Sequence, residues 1–165
     1  MRRTTPDPEL DALERRAHAI GERIGAPRAA YPPFGTRLDA GYPNVDRRDG
    51  AWVWEVHERG RLLEHRTTRD EDEILYWIFV DVTRWMGQEW ARGRPSYAPD
   101  TRVTWAGRIL ELLADLEPRW LERFLREEDS WLSTVRWPDG PPDPYGGSWA
   151  RRVRRRLRGP RSPPG

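Results

Sequence analysis

The sequence predicts an α+β fold: a small antiparallel three-stranded meander packed against a bundle of about four helices, with the central helix spanning 68–90. Two observations carry this. Every residue from Ile74 to Val80 is apolar or aromatic, inside a segment with helical spacing on both sides. Between Tyr42 and Arg66 the period switches to two, with Asp-Gly and Arg-Gly pairs between the alternating runs.

The elements follow in order. Asp7 before Pro8 is a good N-cap ahead of a proline at the first helical position. Leu10, Leu13, Ala17, Ile20 and Ile24 then make 8–24 an amphipathic helix, which Gly25 and Pro27 end. Residues 28–41 have no period and read as an ordered loop anchored by Tyr31 and Phe34. The meander takes in 43–46, 52–57 and 61–66, and Trp52, Trp54 and Val56 share the face turned to the central helix. With a two-residue turn at Arg59-Gly60, His57 faces Leu62 and His65 faces Trp54, which puts the two histidines on opposite faces.

The central helix opens with Thr68 and Glu71 in capping-box spacing, and Asp70, Glu71, Asp72 and Glu73 suit the positive end of its dipole. Leu75, Phe79, Val82, Met86 and Trp90 form one apolar stripe, and Ile74, Trp77, Ile78 and Trp85 a second. Such a helix is buried on several sides. Its unbroken apolar run is far shorter than the roughly 20 residues that a membrane span needs. Further helices are predicted over 100–116 and over 118–132, with Glu117 a mediocre cap before Pro118.

Charge is divided unevenly. Residues 138–165 hold seven Arg and two Asp, a charge of +5, so of the total of +2 the first 137 residues carry −3. The predicted organisation is one α+β domain over 1–137 and a disordered, basic Pro/Gly/Arg-rich tail over 138–165. A mildly acidic body weighs against a nucleic-acid-binding fold. The tail residues Arg151, Arg152, Arg154, Arg155, Arg156 and Arg158 are candidates for contact with a polyanion. All 29 basic residues are arginine, and there is no cysteine, so neither a disulfide framework nor a thiolate metal site is available. The N-terminal stretch lacks the apolar core of a secretory signal, which predicts a cytoplasmic protein.

The catalytic inventory is thin. No nucleophile elbow, phosphate-binding glycine loop or His-Glu-x-x-His occurs. His18, His57 and His65 read as ordinary surface or hairpin residues, and no cofactor or metal is expected. Asp81 is the sharpest single residue, because it continues the second apolar stripe where a hydrophobe belongs. It calls for a partner such as Arg108 or a loop backbone, or else for a role as a carboxylate in a cleft or as an anchor for a basic partner. Asp70 to Glu73 pose the same choice between dipole compensation and an acidic contact patch.

The stretch from Arg66 to Thr83 resembles the signature of the immunity protein 63 family, small bacterial proteins of polymorphic toxin systems. The matching positions are Thr67, Thr68, Asp72, Glu73, Leu75, Tyr76, Trp77, Phe79, Asp81, Val82 and Thr83. The likeness extends to Ile24–Pro27, to Pro32–Gly35, to Glu58-Arg59-Gly60 and to Leu116–Trp120. It covers about residues 8–132. Trp85, Trp90 and the basic tail depart from the pattern. The resemblance implies a non-enzymatic protein that binds and neutralises a cognate toxin, and the charge pattern itself makes Asp70, Glu71, Asp72, Glu73 and Asp81 the candidate partner-binding residues. The alternative reading is a nucleic-acid-associated regulator working through the arginine tail, and a third is an enzyme using Asp81 and the acidic run from Asp70 to Glu73.

Overall fold

A computed structural model describes residues 7–96 and 99–138. Among the described residues the fold is α+β, with one three-stranded antiparallel sheet in the order β1-β2-β3 and five α-helices. These are α1 (Pro8–Glu22), β1 (Ala40–Arg48), β2 (Ala51–Glu58), β3 (Arg61–Thr68), α2 (Glu71–Ala91), α3 (Arg102–Leu116), α4 (Pro118–Glu127) and the short α5 (Asp129–Leu132). Two compact units result, one ending at Val82 and one beginning at Thr83, and α2 runs from the first into the second. Apart from Pro138, the predicted tail lies outside the described residues.

In the first unit, Asp7 caps α1 by accepting the Glu9 and Leu10 N–H groups at 3.0 and 3.2 Å. Leu10, Leu13, Ala17 and Gly21 form its buried face. The helix closes at Glu22, short of Ile24, where the Ala26 N–H returns to the Gly21 carbonyl and Gly25 takes a positive φ. Gly21 is required by what lies over it. A Cβ there would fall 1.7 Å from the Tyr31 hydroxyl, which donates to the Ala17 carbonyl. The Tyr31 ring also meets Phe79 edge-on, so it anchors the loop as its sequence context suggested.

Both hairpins turn on two residues with positive φ, Asp49-Gly50 and Arg59-Gly60. That conformation matches the strand twist and is supplied most cheaply by glycine. The register sets Trp52 opposite Arg47 and Thr68, and Trp54 opposite Val45 and Arg66. The tryptophan face turns inward: the Arg47 guanidinium lies over Trp52 and reaches Glu9 of α1, and Arg66 lies over Trp77 of α2.

Helix α2 starts two residues later than a cap at Thr68 would place it. Thr67 and Thr68 complete β3, pairing Val53 and Trp52, and the cap passes to Asp70. The Asp70 carboxylate accepts the Asp72 N–H at 2.9 Å, while the Thr68 hydroxyl accepts the Asp70 N–H at 3.0 Å. The apolar run from Ile74 to Phe79 is buried at every position.

In the second unit, α2 and α3 approach closely at Gly87, where a Cβ would lie 2.8 Å from the Trp105 carbonyl oxygen. Asp100 accepts the Arg102 N–H and guanidinium and the Arg136 N–H, which ties the start of α3 to the segment after α5. The Arg102 guanidinium, followed by the Arg136 N–H, holds the Asp100 carboxyl well below the usual range. Glu117 does cap α4, taking the Arg119 N–H at 3.3 Å. The single helix expected over 118–132 is broken at Glu128. Its carboxylate receives Arg84 of α2 at 2.7 Å and the Trp131 indole N–H, and Trp131 stacks on Trp105. These contacts reward a turn that a continuous helix would forbid.

Candidate interaction surface

The face of the sheet opposite the tryptophans carries a polar cluster that the sequence did not announce. Glu55 of β2 is buried, and Arg48 of β1 grips both its oxygens, at 2.7 and 2.8 Å. His57 Nε2 lies 3.3 Å from one oxygen and His65 Nδ1 lies 3.1 Å from the other. The bidentate Arg48 bond is the main cause that lowers the Glu55 pKa to about 2, with burial opposing it.

His57 and His65 therefore share a face, which corrects the expectation that they lie on opposite ones. The physical cause is a β-bulge. His57 pairs with Leu62 but Val56 pairs with Glu64, so Leu63 is an extra residue and everything after it moves by one. His65 then falls opposite Glu55 instead of Trp54. A two-residue turn is visible in a sequence, whereas a bulge two residues beyond it is not.

Chemically, the cluster is a staple across three strands. A carboxylate gripped twice by arginine is a weak base, and each imidazole turns a nitrogen towards it. Among the described residues, no group of three or more His, Cys, Asp or Glu is arranged to hold a metal ion. His57 Nδ1 is buried with no hydrogen-bond partner.

The sequence-predicted acidic residues come together on the first turn of α2, with Asp81 more than two turns further along. Asp70 is the helix cap, and Glu71 meets Arg16 of α1 at 2.7 Å, with both side chains well exposed. Asp72 is exposed, and Glu73 and Asp81 are half-buried. Arg108, offered by the sequence as a partner for Asp81, donates to Glu111 at 2.5 Å and lies near the Trp90 ring. The arginines from Arg151 to Arg158 lie outside the described residues.

Among the described residues, four large hydrophobic side chains are exposed: Leu38, Tyr42, Leu62 and Leu63, the last two by 53 and 57 %. All belong to the sheet or to the segment leading into it. Asn44 holds that segment by accepting the Leu38 N–H and donating to the Leu38 carbonyl. No helix among the described residues is long and apolar enough to cross a membrane.

Comparison with known families finds a match. The family model described as Immunity protein 63 matches residues 49–130, from the first hairpin turn through α5's Ser130. Comparison with curated proteins and with solved structures gives no match.

Proposed function

Because the chain belongs to the immunity protein 63 family, matched over residues 49–130, we propose that it works by binding: it holds a cognate toxin protein and neutralises it, without chemistry of its own. The family match carries this reading. The folded body adds support, being mildly acidic at −3 over residues 1–137. The matched span contains both the stapled sheet and the acidic first turn of α2.

The contact surface proposed here is the start of α2, where Asp70 and Asp72 are exposed and Glu71, Glu73 and Asp81 follow on the same helix. Opposed charge across such a surface speeds encounter and selects partners. The action is placed in the cytoplasm, and the arginines from Arg151 to Arg158 add a salt-sensitive contact with polyanions. Co-expression with any toxin encoded by a neighbouring gene is the direct test. The expected result is rescue of growth and a complex that co-purifies. A toxin that kills equally well with and without this protein, and forms no complex with it, defeats the reading.

A further inference from the structure

The two edges of the sheet are treated differently. The outer edge of β1 is closed by a bridge to Phe34, with the Gly35 N–H on the Val45 carbonyl and the Val45 N–H on the Pro33 carbonyl. The outer edge of β3 pairs with no strand among the described residues. It is eight residues long, contains no proline, and exposes Leu62 and Leu63 side by side. An edge of this kind offers unpaired N–H and C=O groups to another strand.

The bulge gives this edge a particular chemistry. Arg61 lies opposite Glu58 and Glu64 lies opposite Val56, and those two β2 residues share a face. Arg61 and Glu64 therefore share a face although they are three apart, which a regular strand would not allow. We propose that two copies of this chain associate through their β3 edges, antiparallel about a twofold axis, with Arg61 of each opposite Glu64 of the other and Leu62 opposite Leu63. Opposed residues in an antiparallel pair lie on one face, so a regular strand would exclude this centring. The bulge makes Arg-Leu-Leu-Glu complementary to itself, as an isologous contact requires. Arg66 engages Glu64 Oε1 within the chain, and the carboxylate has a second oxygen for Arg61 of the other copy.

The contact, centred on four residues of each copy, is small beside the 1,200 Å² or more that stable interfaces bury, so association is expected to be weak and concentration-dependent. Sedimentation equilibrium of the full chain, from about 5 to about 500 µM, reads it directly. Arg61→Glu and Glu64→Arg should each weaken the dimer about tenfold or more, and the double swap should restore it to within about threefold. Melting curves show that each variant is folded, and Leu63→Lys, at an exposed position, serves as a second disrupting variant. A monomer at every concentration, a dimer indifferent to the single changes, or a double swap that restores nothing would each overturn the proposal. So would a monomer whose Glu64→Arg variant loses the toxin, because the edge would then belong to the toxin.

Discussion

At the scale of the residue, Glu55 shows how one side chain can hold three strands. Its pKa is about 2 in the folded protein against an ordinary 4.5. A carboxylate with a lowered pKa contributes stability that is present above its unfolded value and is lost as the pH falls towards its folded one. Glu55→Gln should therefore cost on the order of 2 kcal/mol near pH 7, a figure that allows for the exposed side of Arg48. The difference from the unaltered protein should shrink between pH 4.5 and about 2, as urea melts across that range would show. Gly87 makes a case of sign. Gly→Ala inside a helix ordinarily gains about 1 kcal/mol, but here the new methyl would press on the Trp105 carbonyl and on Ile109. Overpacking against backbone wins, and Gly87→Ala should destabilise by about 1–3 kcal/mol. Trp77→Ala, at a buried position of α2, should cost about 3–5 kcal/mol by the same denaturation measurement.

At the scale of the element, the bulge in β3 can be tested by removal. Deleting Leu63 leaves Leu62 opposite His57, Glu64 opposite Val56 and His65 opposite Glu55, so every cross-strand pair survives. Stability should then change by less than about 1 kcal/mol. If the strand were regular, the same deletion would flip all later residues to the other face and cost several times more. The cap of α2 also changes how the acidic turn should be probed. Asp70 accepts the Asp72 N–H, so reversing its charge removes a cap worth about 1 kcal/mol. Asp70→Ser keeps an acceptor while removing the charge, and Asp72→Arg reverses a charge that makes no cap. Loss of toxin binding by this pair at an unchanged melting temperature would locate the contact, whereas full binding would remove that site and leave the family reading standing.

At the scale of the whole molecule, the division of charge suggests a division of labour. We propose that a chain ending at Pro138 folds with an unchanged melting temperature, because the residues removed contain few core formers besides Trp149, Val153 and Leu157. Its affinity for heparin or nucleic acid should fall sharply, and its toxin rescue should persist. A clear drop in melting temperature would show that the tail belongs to the folded body. The same truncation separates the two readings of the protein, since a regulator acting through the arginines would lose its function outright.

Wherever the physics is local, the sequence by itself determined the outcome. The Asp7-Pro8 start of α1, the Asp49-Gly50 and Arg59-Gly60 turns, the three-stranded meander and the buried run of α2 follow from capping, from the conformations glycine allows and from hydrophobic period. The residues of the family signature were legible for the same reason, since they lie in one continuous stretch. What only the tertiary structure decided are the features set by partners distant in the chain. The helix start moved from Thr68 to Asp70 because β2 claimed Thr67 and Thr68 as partners, and the break at Glu128 answers to Arg84, 44 residues earlier. Most of all, the Glu55 cluster rests on one extra residue at Leu63, which brought His65 round to Glu55. A period of two is blind to a single insertion until the neighbouring strand shows which residue has been left without a partner.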